Sequence, residues 1–353
     1  MNQRVERLRA TFDALGAHSF LVSNAINVRY LTGLDSSNAF VLVEHKRVVV
    51  LTDGRYIEVA RTLAGDGVEV VLVEREFGLG VAAALRELVA GPMAFEADDL
   101  TFERYEALAA AGLELVPASG AVQTLRAVKD AAELEAIRRA ARVLNVVYER
   151  LARERLVGRT ERDVAWWFEQ TLRAEGADAL AFDVIVASGP NAALPHHHSG
   201  KREIGPGETV LVDAGAVVDG YCSDCTRTFA TGPLPDDLRG AYAVCRSAQE
   251  AALAAVRVGA EKRALDEIAR REIAEAGHEV LHGLGHGVGL EVHERPILRP
   301  TANGLLEAGN VVTVEPGVYL TGRGGIRIED LVVVTESGPE VLTPFTKDLL
   351  TLD

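Results

Sequence analysis

Residues 124–153 form the longest helical pattern in the chain, with Leu134, Ile137, Ala141, Leu144 and Val147 recurring every three or four positions. A stripe at that spacing must be buried against a core, and the sequence on its two sides differs in kind. Before it, β-branched runs at 19–22, 40–43, 48–51 and 68–73 alternate with helix-like stretches at 81–89 and 102–110. That rhythm predicts a smaller α/β domain over residues 1–123. After it, helical patterns at 161–175 and 238–255 mix with strand-like runs at 182–187, 209–213, 311–314 and 331–334. These predict a second, α+β domain over 124–353, and a length of 353 residues suits two cores.

Several function classes are disfavoured by composition. The most apolar stretches, 40–51 and 78–95, are interrupted by charged residues, so no membrane span is expected. The N-terminus alternates charge with Val5, Leu8, Phe12 and Leu15 at helical spacing, unlike a signal peptide, and reads as a mature cytosolic start. Three cysteines fit a reducing compartment, so a cytoplasmic location is expected. A net charge of −15 would repel phosphate backbones and argues against nucleic acid as a partner.

Five polar groups interrupt or end apolar runs: Asp213 in VLVDAGA, Asp224 in YCSDCTRT, His286 in GLGHGVG, Glu315 in VTVEPGVY and Glu329 in GIRIED. Taken singly, an Asp at a strand end is commonly a turn residue and a Glu before Pro commonly faces solvent. Together they carry more weight, because burying several carboxylates in one place is prohibitive unless cations neutralise them. Four carboxylates and one imidazole form a mainly hard-oxygen set suited to Mn²⁺, Co²⁺ or Zn²⁺. A pair of such ions activates water and polarises a carbonyl, which is hydrolytic chemistry. Arg327 and Glu329, two apart on a strand, are expected on one face, as are Cys222, Asp224 and Thr226.

Other motifs fail on spacing. His282 and His286 stand at i and i+4 as in a zincin helix, yet Gly283 and Gly285 between them disfavour helix, and Gly283 occupies the place of the general-base Glu. Cys222 and Cys225 match C-x-x-C, but residues three apart on a strand face opposite sides. The glycines of GLGHGVG do not fit G-x-G-x-x-G, and no G-x-S-x-G elbow occurs. The triplet His196–His197–His198 reads as a solvent-exposed polar loop after Pro195.

The five segments resemble those of the pita-bread metallopeptidases, the family of methionine aminopeptidase, aminopeptidase P and prolidase. NVRYLTG at 27–33, TDGRYIEVA at 52–60 and LRAVKDAAELEAIRRAA at 125–141 resemble the N-terminal domain and interdomain helix of the proline-directed branch, so nearly the whole chain is covered. The resemblance implies a pita-bread catalytic domain preceded by a creatinase-type α/β domain. It also implies two divalent ions: Asp213 on the first, Asp224 and Glu329 bridging, His286 and Glu315 completing the second. Glu315 is then the group that takes the proton of the attacking water. His196 would line the substrate site, His293 would stabilise the tetrahedral intermediate, and His282 and Arg327 match further substrate-binding positions. The implied substrates are short peptides with proline second, and the implied assembly is a homodimer in which the 33–38 loop approaches the partner's site.

Methionine aminopeptidases generally lack the N-terminal domain, creatinase-like enzymes lack the ligands, and non-catalytic binding modules of this fold lose them. Many prolidases have an arginine directly after an H-E-x-P segment; here His293-Glu294-Arg295-Pro296 is followed by Ile297. That departure points to an aminopeptidase P-like enzyme acting on longer peptides, with a dipeptide-restricted prolidase as the alternative.

Overall fold

The computed structural model describes residues 3–352. The chain divides into two compact units, one ending at Arg126 and the other beginning at Ala127.

The first unit is built on a six-stranded sheet. Its strands are β1 (Ser19–Val22), β2 (Ala39–Glu44), β3 (Val48–Thr52), β4 (Val68–Leu72), β5 (Met93–Glu96) and β6 (Leu115–Ala118), in the order β4-β3-β2-β1-β5-β6. The β1–β2 and β2–β3 pairs are antiparallel, whereas β4, β5 and β6 join in parallel. Strands β1, β3 and β5 are buried at every position, which explains why they read as unbroken apolar runs rather than alternating ones. Leu21, Phe40, Leu42, Val49, Leu51 and Phe95 pack against Val81, Leu85 and Leu108, each such side chain contributing roughly 1.5–3 kcal/mol by leaving water. The helical stretch expected at 81–89 begins as a π-turn at Gly78–Ala82 and continues as the α-helix Ala83–Leu88.

Helices cover two sheets in the second unit. The pattern at 124–153 is two helices, Ala121–Ala127 and Ala131–Leu151, so it is broken where a continuous element was expected. Asp130 caps the second helix: its side chain accepts from Glu133 N while Glu133 Oε2 accepts from Asp130 N, a reciprocal arrangement that starts a new helix. Leu144, Val147, Tyr148 and Leu151 from this helix, with Val164, Phe168 and Leu172 from the helix Glu161–Ala174, pack on the sheet of Ile185–Ser188, Thr209–Ala214 and Cys225–Ala230. The expected strand at 182–187 is thus displaced towards its C-terminal end.

Helices Asp236–Ala255 and Lys262–Glu275 cover a five-stranded sheet containing Gly285–Gly287, Glu294–Leu298, Val311–Val314, Asp330–Thr335 and Gly338–Val341. A hairpin, Gly317–Leu320 with Gly324–Arg327, and a small three-stranded sheet of Ala179–Leu180, Ala216–Val218 and Tyr221–Cys222 also belong to the unit. The sheets are tied together by buried Arg227, whose guanidinium bonds Asp330 at 2.8 Å and the carbonyls of Thr343 and Phe345. Among the described residues no helix is long and apolar enough to cross a membrane.

Candidate metal centre

Asp213 lies near the end of the Thr209–Ala214 strand, directly opposite Thr226 on the Cys225–Ala230 strand. Asp224 stands just before that second strand, two residues from Thr226. Pairing and a period of two therefore turn Asp213, Thr226 and Asp224 to one face. The spacing of the two strands is held from behind, where the buried Tyr148 hydroxyl reaches the carbonyls of Val212 at 3.0 Å and Cys225 at 2.6 Å. Glu329 sits between the Gly324–Arg327 and Asp330–Thr335 strands, its backbone N–H donating to Thr226 O. Arg327 and Glu329 meet on one hydroxyl: Arg327 Nε donates to Thr226 Oγ1 at 3.0 Å, and that hydroxyl donates to Glu329 Oε2 at 2.7 Å.

His286 is held in a strand that only glycines allow. A Cβ on Gly285 would lie 2.1 Å from Thr313 O, and one on Gly287 would lie 2.2 Å from Arg295 O, so the His286 strand fits between its neighbours because both flanking side chains are absent. His286 Nδ1 is 3.1 Å from Gly287 O; because a carbonyl only accepts, that nitrogen carries the proton and Nε2 is the atom turned inward. Nε2 lies 3.2 Å from Glu315 Oε1 and 3.7 Å from Asp224 Oδ2. Asp224, His286 and Glu329 each bring a ligand atom within 4.8 Å of the others.

All nine site residues singled out in the sequence, His196, Asp213, Asp224, His282, His286, His293, Glu315, Arg327 and Glu329, line a single cavity of about 860 Å³. Its electrostatics are those of crowded anions. Burial, reinforced by neighbouring carboxylates, pushes Asp224 and Glu329 well above the usual carboxylate range, and burial raises Asp213 against the pull of Arg327. Glu315 goes the other way, to about 2, because the His286 hydrogen bond and charge outweigh burial. Burial likewise opposes charge on His286, but Glu315 and Glu329 prevail and lift it to about 9. Two buried oxygens, Asp213 Oδ1 and Glu329 Oε1, have no hydrogen-bond partner, although Arg327 Nη2 holds the other Asp213 oxygen at 2.6 Å. Unpaired anionic oxygens facing an imidazole nitrogen are the donor set that a divalent cation fits.

Residues 135–336 match metallopeptidase family M24, and residues 4–128 match the creatinase/prolidase N-terminal domain. The chain belongs to metallopeptidase family M24. It is thus a hydrolase with the pita-bread catalytic fold preceded by a creatinase-type α/β domain, and family membership implies divalent metal ions. The solved structure of an Xaa-Pro dipeptidase from Bacillus anthracis is 37% identical, covers 99% of each chain and superposes with a TM-score of 0.94. An X-Pro aminopeptidase from Thermotoga maritima is 32% identical over 99% of this chain and 100% of its own, with a TM-score of 0.88. The Xaa-Pro dipeptidase of Pyrococcus furiosus is 30% identical over 99% of this chain and its full length.

Within this M24 site some residues occupy places that sequence reasoning missed. Tyr319 donates its hydroxyl proton to His282 Nε2 at 2.8 Å and accepts from Arg327 Nη1 at 3.1 Å. His282 Nδ1 is engaged with Gly283 O, so both ring nitrogens are committed to protein partners. Thr313 Oγ1 accepts from His286 N and donates to Glu315 Oε1 at 3.2 Å. The histidine triplet is not uniformly a solvent-exposed loop: His197 is half-buried and lies 2.8 Å from the buried carboxylate of Glu161. Cys222 and Cys225 are both buried.

Proposed function

We propose that this metallopeptidase is an Xaa-Pro dipeptidase, with two divalent cations, manganese or cobalt with zinc as the alternative, held by Asp213, Asp224, His286, Glu315 and Glu329. The observation that carries the metal assignment is the pair of orphaned buried oxygens, Asp213 Oδ1 and Glu329 Oε1, in the same cavity as the inward-turned Nε2 of His286. Asp224 and Glu329 would be held in common by the two ions, Asp213 would hold the first, and His286 and Glu315 would hold the second. When bound, such a pair lowers the pKa of a shared water and polarises the scissile carbonyl. Since His286 is lifted to about 9 among the carboxylates, its Nε2 proton must leave as the site loads. Glu315 is the group that receives the proton of the attacking water. His293, whose ring centroid is 4.2 Å from that of His286, is assigned to the developing oxyanion, and His196 to the substrate at the rim.

The choice of dipeptides rests on the relatives' names and on one cation. A dipeptide brings its carboxylate close to an acidic site and needs a positive group to receive it. Ile297 pairs directly with His286 and lines the cavity, and Arg299, two residues on, lines it too. Arg299 stands just past the end of the Glu294–Leu298 strand, so a cation two residues beyond Ile297 still faces this cavity. Arg327 is already engaged by Asp213, Tyr319, Thr226 and Pro195 O, whereas among the described residues exposed Arg299 makes no ion pair. The test compares kcat/KM for Ala-Pro and Ala-Pro-Ala under one metal condition. A strong preference for Ala-Pro is expected; faster cleavage of Ala-Pro-Ala transfers the enzyme to the aminopeptidase P reading.

A further inference from the structure

The strap that carries His196 ends on one buried carboxylate. Glu161 is the first residue of the Glu161–Ala174 helix and has no solvent exposure. Its Oε1 accepts from Ser188 N and Ser188 Oγ, both at 2.8 Å, and from Asn191 Nδ2 at 3.0 Å. Its Oε2 accepts from His197 Nε2 at 2.8 Å and Gly200 N at 3.2 Å. Ser188, Asn191, His197 and Gly200 span the whole segment from the end of the Ile185–Ser188 strand, through the 3₁₀ turn at Gly189–Ala193, to the far side of the histidine triplet. Only a group that accepts without donating can satisfy donors of every kind present there: two backbone N–H groups, a hydroxyl, an amide and an imidazole. Burial raises the Glu161 pKa, but His197, Ser188 and Asn191 overcome it, so the carboxylate stays below its usual range.

A second anchor lies on the other side of His196. Arg327 Nη1 donates to Pro195 O at 3.3 Å. His196 is therefore bracketed, its predecessor's carbonyl held by Arg327 and its successor's ring held by Glu161, while its own side chain is exposed and lines the cavity. An exposed imidazole on an untethered loop would sample many positions, each costing entropy to fix when substrate arrives.

We infer that Glu161 is a positioning residue for catalysis, holding the 188–200 strap so that His196 meets the peptide in the cavity. The inference rests on the dipeptidase reading and on the place given there to His196. Glu161→Gln keeps the shape but turns an NH₂ group towards donors. His197→Ala cuts the same clamp from the half-buried loop side and carries the test if Glu161→Gln does not fold.

The experiment measures kcat, KM, bound metal and Tm on the metal-loaded enzyme with Ala-Pro, for each variant alone and combined with His196→Ala. The expected result is a fall in kcat of about 10- to 100-fold, the range for losing a partner that orients a functional group, with metal content and KM near wild type. In the His196→Ala background the same change should cost almost nothing more, because the residue being positioned is gone. A lowered Tm with unchanged kcat would reduce Glu161 to a structural role, and an equal loss with and without His196 would overturn the inference. Failure of the functional reading looks different: the wild type itself would not turn over Xaa-Pro substrates, and the inference would fall with it.

Discussion

In the N-terminal unit, Glu96 is buried with Ser23 N and Asn24 N on one oxygen, both at 2.7 Å, and Asn27 Nδ2 on the other. In the C-terminal unit, Asp213 and Glu329 are also buried, yet each keeps an oxygen with no donor. Burial lifts Glu96 to about 7 in spite of its donors, and it drives Glu329 well above its usual range with neighbouring carboxylates adding to the shift. The first arrangement closes a turn between β1 and the helix Ala25–Thr32. The second has the mark of a site finished by something outside the chain, since native proteins rarely leave buried acceptors unpaired.

The sharpest way to break this contrast is Glu329→Ala. Loss of metal by elemental analysis is expected, with kcat/KM falling by more than the roughly 10- to 100-fold that loss of an outer-shell partner costs. Full activity in metal-free protein would end the account. Glu96→Gln, by contrast, should leave metal content and kcat/KM unchanged.

A finer cut separates the two adjacent imidazoles. His293→Ala should retain metal and lose about 100- to 1,000-fold in kcat, as removal of a single oxyanion donor does, whereas His286→Ala should lose metal as well. Equal metal loss in both variants would show the roles to be misassigned.

The smallest effect belongs to Glu96 itself. Its folded pKa, about 7, is raised above the ordinary carboxyl value of 4.5, so its contribution is fully present below about pH 4.5 and is lost as pH rises through 7. The penalty between those limits is on the order of 3 kcal/mol. The stability of wild type should therefore fall from pH 5 to pH 8 by more than that of Glu96→Gln. Parallel pH profiles for the two proteins would show that the donors leave no penalty to relieve.

The same contrast explains what the sequence disclosed. Asp213, Asp224, His286, Glu315 and Glu329 were visible because charge inside an apolar run is locally anomalous. Tyr319 and Thr313 were not, and Thr226 was placed only on the face of Asp224 without a role, since a hydroxyl on a strand is ordinary until the fold supplies its partner. Glu161 was hidden for a related reason: a Glu in the first turn of a helix normally faces solvent and favours the dipole. Only the return of the 188–200 strap across it reveals the burial. Strands β1 to β4 of the first unit were legible as β-branched runs, but β5 and β6, reading MAFE and LVPA, were not, and neither was the break at 128–130. The apolar stripe continues across it, and the capping pair Asp130 and Glu133 looks like surface charge.

Gly285 and Gly287 have one more consequence. A saturation mutagenesis scan scored only by activity would rank them beside the residues of the reaction, because any side chain at either position meets a carbonyl oxygen. Neither has an atom to offer chemistry. In such a map intolerance would measure vacant space as faithfully as reactivity, and a transplant of this centre to another scaffold would have to carry the two empty positions along with His286.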